Sequence, residues 1–172
     1  YSFCKAQASA CAGYSINTES SGIRCFGTNQ SGVGYSSTNY DVNGSSQKIS
    51  TILTDMSDYL VNLYVLKNHG MAGVTLGLKN HYGTCNSPGS LHGGHCDPYI
   101  PALNALSPIK DKHIISIGDA ITGIISGGPG GMPQVSPKSL IFSTDPVACD
   151  TVARQMLKDY GTSDSSINRA TH

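Results

Sequence analysis

The segment Leu60-Val61-Asn62-Leu63-Tyr64-Val65-Leu66 constrains the fold most. It is short, apolar and rich in β-forming side chains, the pattern of a buried strand rather than an amphipathic helix. It runs directly into Lys67-Asn68-His69-Gly70, where glycine breaks the strand. The following stretch, Gly70–Tyr82, suits a helix, with Met71, Val74, Leu78 and Tyr82 on one face. A strand that ends in a glycine turn and leads into a helix gathers backbone N–H groups and side-chain cations on one rim.

The rest of the chain repeats that alternation. Ile114–Ile117 reads as a second apolar strand, ending at Gly118-Asp119, and Leu140-Ile141-Phe142-Ser143 as a third. Asp97-Pro98 and Asp145-Pro146 each carry an N-cap residue followed by proline at the first helical position. They predict one helix through Leu106 and another with Val147/Ala148, Val152 and Met156 on one side, stopped by Gly161. Asn86–Cys96 reads as a loop, and Gly127–Gly131 as a tight connector. Strands alternating with helices predict an α/β fold with a mixed, partly parallel sheet flanked by helices.

Residues 1–48 lack helical periodicity and form an irregular Ser/Gly-rich N-terminal arm. It has a short strand at Ile23–Phe26 and turns at Gly27, Gly32-Val33-Gly34 and Asn43-Gly44. Ile49–Leu53 opens the α/β core, residues 49–161, as a further strand or a short bridging element. The tail, 162–172, is polar and peripheral by composition.

A chain of 172 residues is long enough for one real core. Its net charge of +0 excludes the basic face that nucleic acid demands, and no apolar run reaches the length of a membrane span. The chain does not begin with Met, and its first residues lack a basic segment followed by an apolar one. It reads as a processed protein or a fragment. Charged residues make up only 13%, and the arm is rich in Ser, Thr, Asn and Gly, which points to a secreted or extracytoplasmic protein. Two sequons, at Asn29 and Asn43, fit that setting. Of the six cysteines, Cys4, Cys11 and Cys25 lie where a disulfide would help most. Cys85 and Cys96 can close the loop between them, and Cys149 reads as a buried thiol. No CxxC occurs, which argues against a zinc ribbon or a thioredoxin-type redox site.

The candidate chemistry clusters at the rim. Lys67 and His69 follow the first strand, and Lys79, Asn80 and His81 lie further along the predicted helix. Two lysines there can hold a carboxylate or phosphate by charge-assisted hydrogen bonds, and a histidine can move a proton near neutral pH. Thr75, in the same stretch, is a further ligand-binding candidate. The other reading has Lys79 lay its stem along apolar surface while Asn80-His81 caps a helix. His92 and His95, at positions i and i+3, stand beside Cys96 and Asp97, all possible ligands for a divalent transition metal. Against that, Asp97 is also an N-cap and Cys96 a disulfide partner. Asp119, at a strand end, is a candidate base or a partner for lysine. Gly128 and Gly130 can let a ligand approach the backbone. The glycine loop has no P-loop lysine and no strand–GxGxxG–helix setting, and no GxSxG elbow occurs.

Four blocks together resemble a known family: VLKNHGMAGVTLGLKNHYG, HGGHCDPYIPALNAL, IISIGDAITGI with GGPGG, and LIFSTDPVACDTVARQML. In order and spacing they are similar to the domain-of-unknown-function 362 family, over about residues 49–160. The resemblance implies an α/β fold and no established reaction. It also implies an upstream α/β half, which this chain lacks or has on another polypeptide. Some relatives are exported, and some accompany iron–sulfur modules.

Two functions follow as expectations. One is an exported domain that binds a small anionic molecule, with or without a metal, at the rim of Lys67, His69, Lys79, His92 and Asp119. The other is a structural subunit of an extracellular filament or lattice, a homo-oligomer assembled through its N-terminal arm.

Overall fold

The structure is a computed structural model and describes residues 15–170; Cys4 and Cys11 lie outside them. From residue 15 to 39 the chain makes only isolated bridges, Asn17 to Cys25 and Tyr35 to Ser50. The expected strand at Ile23–Phe26 is thus a single antiparallel bridge. Regular structure begins with a hairpin of β1 (Tyr40–Val42) and β2 (Ser45–Gln47), turned at Asn43-Gly44 as the sequence predicts. Ile49–Leu53 does not continue as a strand. Ser50 caps a short helix, α1 (Thr51–Thr54), through the Ile52 N–H, and its hydroxyl also meets Thr28 at 2.7 Å.

The main sheet is mixed. Its central strand is β3 (Leu60–His69), which turns back into β4 (Gly73–Thr75) as an antiparallel hairpin. β3 pairs in parallel with β5 (His113–Ile124), and β5 pairs antiparallel with β6 (Ser139–Ser143), giving the order β4-β3-β5-β6. Between β4 and β5 the chain makes α2 (Gly77–Asn80), three short 3-10 turns, α3 (Tyr99–Asn104) and α4 (Ser107–Lys110). After β6 come α5 (Pro146–Asp159) and α6 (Asp164–Arg169).

Several expectations change in detail. The predicted helix over Gly70–Tyr82 is a hairpin arm followed by one turn of α-helix and a 3-10 turn, because Val74 extends the sheet beside Asn68 before the chain coils. Val74, Leu78 and Tyr82 are nevertheless all buried. The loop Asn86–Cys96 holds two of the 3-10 turns. At α3 the cap position is Pro98, without a side-chain bond, and Asp97 stands before it. Asp145 does cap α5, accepting the Val147 and Ala148 N–H groups at 2.8 and 3.0 Å. That helix buries Cys149, Asp150, Ala153 and Leu157, while Val147 and Val152 face outward. β5 runs on to Ile124, so Asp119 lies within a strand and not at its end. The polar tail forms α6, whose Ile167 joins the core.

Two apolar cores result. One, with Leu66, Ile141, Cys149, Ala153 and Leu157, lies between the sheet and α5 and α6. The other fills the lobe beside the sheet with Val42, Ile49, Leu78, Tyr82, Leu91, Ile100 and Leu103. At the first, Tyr64 of β3 lies against Gly118 of β5, its partner in register, and its hydroxyl meets Cys149 Sγ at 3.1 Å. A Cβ at Gly118 would stand 2.6 Å from Tyr64 Cζ, so the ring occupies the space a side chain would need.

β3 is not buried on both faces. Asn62, Tyr64 and Leu66 point into the helix-covered side, whereas Val61, Leu63 and Val65 are 46%, 63% and 43% exposed on the other. Asn62 is the polar residue on the covered side because it is satisfied there. Its amide donates to the Gly77 carbonyl at 2.8 Å, and its oxygen accepts from Asn80 at 2.8 Å.

Candidate functional site

The end of β3, the turn after it and α2 bring His69, Lys79, Tyr82 and His92 together. His69 Nδ1 accepts the backbone N–H groups of Met71 and Ala72 at 3.0 and 3.1 Å. Its proton therefore sits on Nε2, and the ring is neutral. Burial first, then the positive Lys79 and the neighbouring His92 and Lys67, push its pKa down to about 4. His92 Nδ1 lies 2.9 Å from the Pro88 carbonyl, which can only accept. His92 thus donates from Nδ1 and leaves a lone pair on Nε2, 3.4 Å from Lys79 Nζ. The imidazoles of His69 and His92 stack with centroids 6.1 Å apart.

Lys79 is the unusual member. It is buried, and its ammonium lies 3.9 Å from the Tyr82 ring centroid, a cation–π contact. Tyr82 stands edge-on to His92 and is held by a 2.6 Å bond from its hydroxyl to the Leu91 carbonyl. Burial lowers the Lys79 pKa, partly offset by the Cys96 and Cys85 thiols; no carboxylate contributes. A lysine desolvated without an acid to pair it favours an incoming anion.

α2, which carries Lys79, is anchored from across the molecule. Asp150 of α5 accepts the Gly77 and Leu78 N–H groups, each at 2.9 Å. Burial raises the Asp150 pKa to about 7, against the lowering effect of those two bonds. Its neighbours in sequence suggest only a helix-dipole role for Asp150. Its contact with α2 spans most of the chain, and no local pattern encodes it.

The other candidates fall elsewhere. Lys67 is half-buried at the end of β3 and adds positive potential to His69. Thr75, its register partner in β4, has a buried Oγ1 without a hydrogen-bond partner. Asn80 ties α2 to β3 through Asn62 and the Leu63 carbonyl. His81 is buried, with Nδ1 unpartnered and its pKa lowered to about 4 by burial and by His113. It lines a groove of about 580 Å³ with Phe26, Thr28, Leu60, Leu63 and Thr84. Asp119 is exposed on the uncovered sheet face, its Oδ1 accepting the Ile121 N–H at 2.9 Å. The structure does not bring it into the His69–Lys79–His92 cluster. Gly128 donates its N–H to Asn68 Oδ1 at 2.8 Å, and Asn68 fills the space beside it that a side chain would take. The close approach at that glycine is to the protein's own strand. Gly130 has open space beside it.

His92, His95 and Cys96 do not assemble as metal ligands. Among the described residues no group of three His, Cys, Asp or Glu side chains could hold an ion. His95 is exposed at φ +60°, and Cys96 is buried. The one His92 nitrogen with a free lone pair faces an ammonium, which would repel a cation. Nor is the Cys85–Cys96 bridge formed: both are free and buried, with Cys85 pushed up to about 11 by desolvation.

A family model described as Domain of unknown function (DUF362) matches residues 4–155. The chain belongs to this family. Membership extends over most of the N-terminal arm as well as the four blocks from which the resemblance was drawn. No curated protein and no solved structure matches this DUF362 chain. No helix among its described residues is long and apolar enough to cross a membrane.

Proposed function

We propose that this DUF362 chain is an exported domain that binds a small anion, a carboxylate or a phosphate, at the rim of Lys67, His69, Lys79 and His92. The observation that carries the reading is Lys79: a buried ammonium that, among the described residues, meets the His92 ring and an aromatic face, with no carboxylate against it. The His69 Nε2–H supplies a neutral donor beside it, and Lys67 adds charge at the mouth. An anion arriving there meets the His69 Nε2–H and the Lys79 ammonium side by side, with the His92 ring next to them, the equipment of proton transfer next to a carboxylate. The low charge content and the exposed sequon asparagines Asn29 and Asn43 support export.

Titration calorimetry with inorganic phosphate and with small carboxylates tests the reading. Lys79→Met should weaken binding by at least about tenfold, the worth of one charge-assisted bond, while thermal stability holds or rises. No binding by the wild-type protein, or equal binding by a folded Lys79→Met variant, would overturn it. The second reading, a filament or lattice subunit, draws its support from the irregular arm and the uncovered sheet face. Electron microscopy of the native protein separates the two: ordered polymers favour the filament.

A further inference from the structure

Among the described residues the sheet has a covered and an uncovered face, and the centre of the uncovered one is apolar but for Asp119. Strand register sets its side chains in rows: Val61 beside Ile115, Leu63 beside Ile117 and Phe142, Val65 beside Asp119 and Leu140. Ile121 extends the β5 column. Leu63, Phe142, Leu140 and Ile121 are 63%, 66%, 57% and 54% exposed. A parallel pair at the centre of a sheet is ordinarily buried on both sides. Summed over these side chains, the apolar surface is on the order of 600 Å², the upper end of what a monomer exposes and most of the about 800 Å² per partner of a standard interface.

We infer that two copies of this chain pack these faces against each other as a closed two-fold dimer. The inference does not rest on the anion reading, although Lys67 borders both surfaces, and it differs from the filament reading, because an isologous pairing of one patch with itself closes. The choice of a second copy rests on two features of the face. Its area, doubled to about 1,200 Å², meets the lower end of what a stable dimer buries. Its chemistry is self-complementary: the rows are aliphatic and aromatic apart from Asp119, the one group among them that demands a charge from a partner. The face carries one acid, Asp119 in the row of Val65 and Leu140, and one base, Lys67 two residues beyond Val65, so that a two-fold pairing can set each against its opposite. Two twisted sheets stack in this way about 10 Å apart, their inner side chains interleaved.

Sedimentation equilibrium across the micromolar range tests the inference. The wild-type protein should weigh twice the 18.0 kDa of the chain. The double variant Leu63→Lys/Phe142→Lys should run as a monomer with unchanged circular dichroism. The milder single variants Leu63→Thr and Phe142→Thr keep β propensity and should each raise the dissociation constant by about tenfold or more. They keep the test open if the lysine pair does not fold. Val152→Lys, on the outer side of α5, should leave the dimer intact. A monomeric wild type would overturn the inference and assign the face to a different polypeptide. A dimer indifferent to the threonine variants, or an open polymer, would overturn it equally.

Discussion

The two faces of the sheet are built from the same strands and alternate residues, yet they follow different rules. On the covered side, polar groups are admitted one at a time and each is matched: Asn62 with Gly77 and Asn80, the Tyr64 hydroxyl with Cys149. Space there is settled to the atom, as at Gly118. On the uncovered side the central side chains are apolar apart from Asp119, and none of the described segments is shaped to them. Hydrophobicity alone therefore marks the wrong face as the interior of β3, since Val61, Leu63 and Val65 are more apolar than Asn62, Tyr64 and Leu66. Burial in this sheet follows specific partners rather than greasiness.

The sharpest way to break that contrast is to truncate one leucine on each face. Leu66→Ala should cost about 2–5 kcal/mol in urea unfolding, because a fully buried side chain leaves a cavity. Leu63→Ala, measured where the protein is monomeric, should stay within about 0.5 kcal/mol. Equal losses would mean the faces are equally packed. Next in size, Gly118→Ala should cost about 1–3 kcal/mol by forcing the Tyr64 ring aside, and Tyr64→Leu should relieve part of it.

Asp150→Asn comes third. It sets an amide N–H against one of the two backbone donors of α2, a loss of about 1–2 kcal/mol. It also changes the pH profile. An acid whose pKa is raised from about 3.9 unfolded to about 7 folded keeps its proton longer in the native state. Its contribution is greatest below the unfolded value and falls as pH rises toward 7. The variant should lose that slope. The smallest effect is at the rim where the faces meet. His69, lowered to about 4, stabilises above its unfolded value of about 6.5 and loses that stability as pH falls through the interval. His69→Gln should flatten the acid side of the melting-temperature profile, opposite in sign to Asp150→Asn.

Much of the fold was legible. Leu60–Leu66 as a central strand, the Asp145-Pro146 helix start and the Asn43-Gly44 turn all follow from local chemistry. What escaped was long-range. β4 forms in place of a helical turn because β3 offers it hydrogen bonds. α6 forms from a polar tail because Ile167 has a core to enter. Of the site, the cations and histidines near the glycine turn were visible as residue types. The roles of Tyr82, the Pro88 carbonyl and Asp150 were not, since each depends on a contact between distant segments. The metal grouping failed for the converse reason: neighbours in sequence, His92, His95 and Cys96, are turned apart by left-handed backbone at His95 and Cys96.

The wedge of Tyr64 bears on how relatives of this chain can diverge. A Cβ at Gly118 would overlap the tyrosine ring, while one at Gly77 would press on Asp150 Oδ1 at 3.0 Å as well as on the ring at 3.1 Å. Residues 64 and 118 therefore form one evolutionary unit. A lineage that trades the tyrosine for a smaller residue frees Gly118 to drift, while one that keeps the ring must hold it, so those two columns of a family alignment should change together, with position 77 answering to Asp150 besides.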